Sequence, residues 1–297
     1  MDLPYIYKDK DININCLLDK KIGIVGFGNQ GKAQSLNLRD SGIDVKIGIR
    51  NKSSSISLIK DEGLDYNTID LVVSNSDIIA ILVPDQKMSK IFSEYIEPYL
   101  KEGQILLFSH GYNIHYRLIS PPDFVSTVLV APSGAGTELR RQYLNNSGIP
   151  GLFAIYKNND SKFLKDQVLA YCRAIGLSRA GVVESSFKEE TETDLFGEQS
   201  VLTSSIPMIV RSSYNVLLES GYSPAVSWLV CYYELKTIVD MFHSKGFNFM
   251  NSAISDTAEY GGMTRGLRII DSKVINEMRK IIKEIQSGQF HDEWMKE

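Results

Sequence analysis

The segment that most constrains the fold is KIGIVGFGNQG, residues 21–31, in which a short apolar run leads directly into three glycines. The apolar run predicts a buried strand, and residues 31–42 predict a helix after it. A strand, G-x-G-x-x-G and a helix form the phosphate-binding arrangement of dinucleotide-binding folds. Gly26 permits the tight turn, Gly28 lets a pyrophosphate approach the backbone, and Gly31 allows close packing of helix on strand. The alternative is a purely structural glycine-rich turn.

Apolar runs and helical patterns alternate through the first part of the chain. Further strands are predicted at 43–50, 77–85, 103–111 and 126–134, with one or two more at 151–156 and 178–185. Such alternation is typical of parallel βαβ units in a doubly wound sheet. Later segments are helical, at 188–220, 223–243, 248–260 and 272–285. We therefore predict an α/β Rossmann-type doubly wound domain at residues 1–183 and an all-helical domain at residues 184–297.

The end of the second strand bears on the choice between the two nicotinamide cofactors. An acidic residue at this place binds the ribose hydroxyl of NAD. Here the strand ends in Arg50, Ser53 and Ser55 follow, and no acid occurs between Val45 and Lys60. A guanidinium can hold two phosphate oxygens at once, so the pattern favours the 2′-phosphate of NADP. The alternative is an exposed polar loop with incidental charge.

Two acids, Asp194 and Glu198, are placed four residues apart, a spacing at which like charges repel within a helix. Ser186 and Glu189 have the S-x-x-E spacing of a capping box, which predicts that a helix begins there. A solvated acidic helix start is one explanation. Apolar residues crowd this segment, however, and Glu234 stands within the apolar run WLVCYYEL, so we expect buried carboxylates that need a partner. A hard divalent cation is a natural one.

Bulk properties exclude several classes of protein. A net charge of −4 and a pI of about 5.7 argue against a nucleic-acid-binding or polybasic membrane surface. The chain contains 3 cysteines, which are far apart in sequence and fit neither a disulfide framework nor a zinc cluster. We see no signal peptide, and no apolar run approaches the roughly 18 residues of a membrane helix. A cytoplasmic protein is expected.

Several long segments resemble ketol-acid reductoisomerases of the short form. They are GFGNQGKAQSLNLRDSG, FSHGYNIHY, SSFKEETETDLFGEQ, YELKTIVD, SAISDTAEYGG and IKEIQSGQFHDEW, and together they extend over nearly the whole chain. The resemblance implies an NADPH-binding Rossmann domain, a knotted helical domain, two Mg²⁺ ions, and a homodimer or higher homo-oligomer whose sites combine both subunits. It also implies conversion of acetohydroxy acids to dihydroxy acids in branched-chain amino-acid biosynthesis, by alkyl migration and then reduction by NADPH.

Positions that match the family's motifs give the expected site residues. The resemblance implies metal binding by Asp194, which would bridge both ions, by Glu198, and by Glu234 from the partner subunit. These acids and His110, which matches a histidine near the nicotinamide, are the expected catalytic residues, although a lone histidine is otherwise explained as structural. Ser255 is expected to bind the substrate carboxylate. The expected cofactor-binding residues are Gly26, Phe27, Gly28, Asn29, Gln30, Gly31, Arg50, Ser53, Ser55, Pro84, Asp85 and His110.

The sequence departs from the family pattern at four positions. Ser133 and Thr137 replace a lysine and a histidine, Val230 replaces a glutamate of the second metal helix, and Ala253 replaces a serine. A serine offers one neutral hydroxyl where a lysine offers a charge and three donors. Alkyl migration is expected to suffer most, which predicts an Mg²⁺-assisted, NADPH-dependent reductase of a 2-oxo acid or related carbonyl or imine. The alternatives are a true ketol-acid reductoisomerase acting on acetolactate and a non-catalytic NADP-binding protein.

Overall fold

The computed structural model describes residues 4–159 and 162–297 of the chain. These residues separate into two compact units, one extending to Thr191 and the other comprising Glu192–Glu297. All strands among the described residues belong to the first, which we call the sheet unit, and the second is the helical unit. The predicted boundary between residues 183 and 184 lies shortly before this division, at the end of the last strand.

A single sheet runs through the sheet unit. Its strands are β1 (Ile6–Tyr7), β2 (Lys21–Val25), β3 (Asp44–Ile49), β4 (Asp65–Thr68), β5 (Ile78–Ile81), β6 (Ile105–Phe108), β7 (Ser126–Pro132), β8 (Gly151–Lys157) and β9 (Val182–Glu184). Their order across the sheet is β1-β9-β8-β7-β6-β5-β2-β3-β4. β2 to β7 pair in parallel, whereas β8 is antiparallel to β7 and β1 is antiparallel to β9. The predicted doubly wound sheet is therefore confirmed.

The direction of winding reverses between β2 and β5, which are neighbours in the sheet. From β2 the chain proceeds outward to β3 and β4, and it then returns to continue on the other side with β5, β6 and β7. Nucleotides bind in the crevice that such a reversal leaves at the carboxyl ends of the strands. The glycine-rich segment after β2 lies at this end of the sheet.

Helices connect the strands and cover both faces of the sheet. They are α1 (Asn29–Asp40), α2 (Ile56–Asp61), α3 (Ile69–Ser74), α4 (Asp85–Ile91), α5 (Tyr112–His115), α6 (Gly136–Leu144) and α7 (Leu164–Ala174). β5 shows why the strand sequences are continuously apolar: Ile78 and Ala80 belong to one buried cluster, and Ile79 and Ile81 belong to another. Both faces of a parallel sheet are buried, so alternation of polar and apolar residues is absent.

The helical unit begins within α8 (Phe187–Gly197), which contains the division between the units. Its helices are α9 (Ser205–Glu219), α10 (Pro224–Trp228), α11 (Glu234–Ala253), α12 (Asp256–Ile269), α13 (Ser272–Ser287) and α14 (Gln289–Trp294), and π-helical turns occupy Glu198–Leu202 and Leu229–Tyr233. The predictions of one continuous helix at 188–220 and another at 248–260 are wrong, because non-helical residues interrupt the chain just before α9 and just before α12. At the second break, Ser255 is extended and its Oγ accepts the N–H of Ala258 at 3.2 Å, which begins a new helix.

Apolar side chains of the helical unit are largely exposed. Helices α9, α11 and α12 contain no buried residue. Met208, Phe247 and Leu267 expose 67%, 66% and 77% of their surface. An apolar surface of this extent is unusual for a soluble monomer and is typical of an interface.

The three cysteines, Cys16, Cys172 and Cys231, are free thiols. Burial raises the pKa of the Cys172 thiol far above its ordinary value, which makes this group unreactive. Among the described residues, no helix combines the length and the apolar character needed to cross a membrane.

Candidate active site

The three glycines after β2 play three different structural roles. Gly26 has a φ of 101°, and a Cβ atom there would lie 2.6 Å from the carbonyl oxygen of Leu82. Gly28 precedes α1 with an ordinary φ of −83°, and a Cβ atom there would meet nothing within 4 Å. A Cβ atom on Gly31 would lie 2.4 Å from the carbonyl oxygen of Gly26. Gly26 and Gly31 are thus required by the fold, whereas the open space at Gly28 allows a ligand to approach the backbone.

The loop between β7 and α6 packs against the start of α1. The backbone N–H of Thr137 donates to Oδ1 of Asn29 at 3.0 Å, and Nε2 of Gln30 donates to the carbonyl oxygen of Gly134 at 2.9 Å. Gly136 has no space for a side chain, since a Cβ atom would lie 2.2 Å from the carbonyl oxygen of Asn29. Two of the departures from the family pattern are exposed here, Ser133 on the loop and Thr137 in the first turn of α6. Phe27, by contrast, is buried.

The loop after β3 presents a cation and hydroxyl groups. Arg50 is exposed at the end of the strand, and its carbonyl oxygen accepts the N–H of Ser53 at 2.9 Å. The Ser53 hydroxyl oxygen accepts the N–H of Ser55 at 3.2 Å, which leaves its hydrogen available for donation. A groove of about 360 Å³ adjoins this loop and is lined in part by Arg50, Asn51 and Thr68. Its chemistry suits a phosphate monoester.

Pro84 and Asp85 lie in the connection that follows β5, at the point where the winding of the sheet reverses. Pro84 immediately precedes α4, and Asp85 is its first residue. Nδ2 of Asn113 lies 3.3 Å from both the carbonyl oxygen and Oδ1 of Asp85. The same connection contains Leu82, whose carbonyl oxygen faces Gly26. The structure therefore brings this connection next to the glycine-rich turn.

His110 follows β6 and is held by Glu190, a residue of the first turn of α8. Nδ1 of His110 lies 3.0 Å from one oxygen of the Glu190 carboxylate, and the other oxygen accepts the N–H of Gly111 at 2.7 Å. Glu190 is only 3% exposed. A Cβ atom on Gly111 would lie 2.5 Å from Oγ1 of Thr191, so this contact requires glycine. Because a carboxylate only accepts hydrogen bonds, it directs the N–H of Nδ1 toward itself and leaves Nε2 on the far side of the ring.

The expected metal ligands and Ser255 occupy helix starts and turns of the helical unit. Asp194 is exposed on α8, and Glu198, one turn later, begins a π-helical segment and is also exposed. Glu234 is the first residue of α11, directly after the π-helical turn that contains Val230. π-Helical turns are rare and occur frequently at functional sites. Ser255 caps α12, as described above.

The expectation of buried carboxylates is wrong for the single chain, because Asp194, Glu198 and Glu234 are all exposed. Glu234 is exposed, because Trp228, Tyr232 and Tyr233 of the same run are themselves 48%, 40% and 58% exposed. The departures Val230 and Ala253 are exposed as well. Two carboxylates one helical turn apart, as at Asp194 and Glu198, offer the oxygen ligands that Mg²⁺ prefers.

Sequence analysis places Glu190 on one helix face with Asp194 and Glu198 but assigns it no role at the site. An acid in the first turn of a helix is explained by the helix dipole alone. Its position four residues before Asp194, on the same face of α8, is a signal but a weak one. Glu190 meets His110 only through the fold, since the two residues are 80 positions apart in the sequence.

Comparison with protein-family models identifies both parts of the chain. A model described as "Acetohydroxy acid isomeroreductase, NADPH-binding domain" matches residues 16–181. A second model, described as "Ketol-acid reductoisomerase, C-terminal domain", matches residues 187–297. The matches thus extend over strands β2 to β8 and over the helices from α8 onward.

Individual relatives agree with these matches. The chain is 43% identical over 290 residues to a ketol-acid reductoisomerase (NADP(+)) of Pyrococcus abyssi (strain GE5 / Orsay), covering 98% of this chain and 87% of the relative. Among solved structures, an NADH-preferring ketol-acid reductoisomerase from an uncultured archaeon is 39% identical with a TM-score of 0.94, covering 98% of this chain and 89% of that one. An NAD-binding semialdehyde dehydrogenase protein from Cupriavidus necator, 16% identical with a TM-score of 0.70, covers 91% of this chain and 99% of its own and shares only the fold.

Proposed function

Because the chain belongs to the ketol-acid reductoisomerase family, we propose that it catalyses the family's reaction, the Mg²⁺-assisted conversion of an acetohydroxy acid to a dihydroxy acid with NADPH. The observation that carries this proposal is the 43% identity to a ketol-acid reductoisomerase over 98% of the chain. Similarity confined to the sheet would support only a dinucleotide-binding fold. Here it extends through the helices that contain the acidic residues.

The sheet unit fits a dinucleotide. The open backbone at Gly28 would lie against the pyrophosphate, with the start of α1 directed at it. Arg50 and the hydroxyls of Ser53 and Ser55 would hold the 2′-phosphate of NADPH, with Pro84 and Asp85 near the middle of the cofactor. One relative is named for NADP(+) and another as NADH-preferring, so cofactor preference varies within this family. The absence of an acid between Val45 and Lys60 supports NADPH here.

The helical unit fits a hard cation. Asp194 and Glu198 would hold Mg²⁺ with their carboxylates, Glu234 would contribute from the partner subunit, and Ser255 would bind the substrate carboxylate at the start of α12. When bound, Mg²⁺ supplies Lewis-acid polarisation of the substrate oxygens and NADPH supplies the hydride. The exposure of all three carboxylates in the single chain is compatible with this role.

His110 is the residue of the sheet unit whose side chain is best oriented to contact the reacting atoms. Glu190 fixes the orientation of its ring by accepting the hydrogen of Nδ1. The same carboxylate fixes the backbone of the following residue, Gly111, and thus the whole loop after β6. A ring held in this way acts without first having to be oriented, which favours catalysis.

A second candidate function is reduction without alkyl migration. The exposed Ser133 on the β7–α6 loop offers no positive charge where the family pattern has a lysine, and Val230 offers no carboxylate next to the start of α11. Both losses would weaken stabilisation of a developing negative charge, on which migration depends more than hydride transfer does.

One assay tests both candidates. NADPH consumption is measured with Mg²⁺ and either acetolactate or the already rearranged 3-hydroxy-3-methyl-2-oxobutanoate. Similar rates with both compounds are expected for a reductoisomerase, whereas turnover of the rearranged ketone alone would favour the second candidate. If migration is slow only because these groups are missing, S133K combined with V230E restores it. Tight binding of NADPH without turnover of either compound, or of a panel of ketones and imines, would refute both.

We further propose that the protein is a homodimer, or a higher homo-oligomer, formed through the helical unit. Besides the exposed side chains already described, a groove of about 570 Å³ is lined by Met208, Ile209, Val216, Leu217 and Ile269. Sedimentation equilibrium should therefore show at least a dimer. L267E is expected to give monomers without activity, whereas L71E, at an exposed leucine of the sheet unit, leaves the assembly intact. A wild-type monomer would refute this proposal.

A further inference from the structure

A series of side-chain hydrogen bonds connects helices α1 and α7 to the loops after β6 and β7, at the carboxyl edge of the sheet. Gln34, on α1, and Tyr171, on α7, are both fully buried. The Tyr171 hydroxyl is 2.8 Å from Oε1 of Gln34, and Nε2 of Gln34 is 3.1 Å from Oε1 of Gln30 and 3.0 Å from Oγ of Ser109. Nε2 of Gln30 in turn donates to the carbonyl oxygen of Gly134.

The carbonyl oxygen of Gly134, at the end of this series, determines which group donates in each of the hydrogen bonds. The Gly134 carbonyl can only accept, so Gln30 must turn its amide N–H toward it and its amide oxygen toward Gln34. Gln34 must therefore present its NH₂ group to Gln30 and its oxygen to Tyr171. Tyr171 is left as the donor, and burial, which raises the pKa of its hydroxyl, keeps that hydrogen in place.

The assignment of donors and acceptors extends to Ser109, the residue before His110. The second N–H of Gln34 is directed at Oγ of Ser109, which therefore acts as an acceptor. Among the residues that the structure describes, none accepts the hydrogen of the Ser109 hydroxyl itself. Ser109 is half-buried at the end of β6, so that hydrogen remains available to a bound molecule.

The position of Ser109 in the sheet indicates which part of a bound dinucleotide it would contact. In a doubly wound sheet, each half binds one mononucleotide of a dinucleotide. Arg50 lies at the end of β3, in the half proposed for the phosphorylated adenosine, whereas β6 lies in the other half. We propose that Tyr171 and Gln34 are positioning residues that hold Ser109 so that its hydroxyl donates a hydrogen bond to the nicotinamide half of NADPH. This inference rests on the proposed function.

The test compares two ligands, NADPH and 2′-phospho-ADP-ribose, which lacks the nicotinamide. S109A and Y171F are each expected to weaken NADPH binding about three- to tenfold, the effect of one net hydrogen bond. Both should bind 2′-phospho-ADP-ribose as the wild type does. Because Tyr171 acts through Ser109, Y171F should weaken NADPH binding further by less in the S109A protein than in the wild type.

A matched control is available at the opposite end of α1, where another tyrosine hydroxyl meets a serine. The hydroxyl of Tyr143 is 2.8 Å from that of Ser41, which follows the other end of α1. Y143F is expected to lower thermal stability as Y171F does and to leave NADPH binding unchanged. Unchanged NADPH binding in S109A and Y171F, or equal weakening of both ligands, would overturn the inference. A wild-type protein that binds neither ligand would instead overturn the proposed function.

Discussion

The contact between Glu190 and His110 leads to a prediction about a single proton. In the E190Q protein, the N–H of Gly111 still needs an acceptor at 2.7 Å, and only the oxygen of the new amide can serve. The amide NH₂ group is then turned toward Nδ1 of His110, which must accept. The neutral ring is therefore expected to change tautomer, with its proton moving from Nδ1 to Nε2.

The energetic size of this change follows from the same contacts. The hydrogen bonds from His110 and Gly111 to the carboxylate, each worth roughly 1.5–3 kcal/mol because the acceptor is charged, become neutral ones worth about 0.5–1.5 kcal/mol. Removing a carboxylate that is only 3% exposed offsets part of this loss. E190Q should therefore cost about 1–2 kcal/mol in the free energy of unfolding. E190A should cost about 1–3 kcal/mol more, because it leaves the Gly111 N–H buried without a partner.

Nitrogen-15 NMR of the imidazole rings measures the tautomer directly. The chain contains 4 histidines, so the His110 signals can be assigned by single substitutions. The wild type should show a protonated Nδ1, and E190Q should show a protonated Nε2, with kcat/KM lower by about 10- to 100-fold, as for other residues that orient a functional histidine.

E189Q provides the control, since Glu189 lies next to Glu190 on α8 but its carboxylate is exposed and accepts a hydrogen bond from Ser185 at 2.8 Å. It should change neither the tautomer nor kcat/KM. The reasoning is refuted if Nδ1 of His110 in the wild type carries no proton, or if E190Q retains the wild-type tautomer while its fold is intact.

Further predictions concern the glycines, one ion pair and the cofactor. G31A should lower the melting temperature, because its methyl group meets backbone at 2.4 Å, whereas G28A should leave stability unchanged and weaken NADPH binding in a fluorescence titration. Burial of Asp40 opposes ionisation, but hydrogen bonds from Arg140 and a neighbouring arginine lower its pKa overall. D40N should therefore cost about 1 kcal/mol at pH 7, a difference that disappears in urea denaturation as the pH falls through the lowered pKa of the folded state. R50E should reduce the ratio of NADPH to NADH affinity at least about tenfold, and an unchanged ratio would contradict the assignment of that arginine.

The sequence by itself determined the features that depend on neighbours along the chain. The turn after β2 is set by Gly26, which adopts a positive φ, and by Gly31, which packs on the carbonyl oxygen of Gly26. The start of α10 is equally local, since Ser223 precedes Pro224 and its Oγ accepts a backbone N–H three residues later at 3.4 Å. The pattern of residues is sufficient in such cases because all the interacting atoms lie within a few residues of one another.

Only the tertiary structure decided the features that depend on distant partners. The segment DYNT has no apolar alternation and is absent from the predicted strands, yet it forms β4 because it pairs with β3 from Lys46↔Asp65 to Ile49↔Thr68. Gln34 meets Ser109 and Tyr171 across 75 and 137 positions of sequence. A buried polar side chain must find a partner, but which partner it finds depends on how the sheet and its helices are arranged in space, and no local pattern records that.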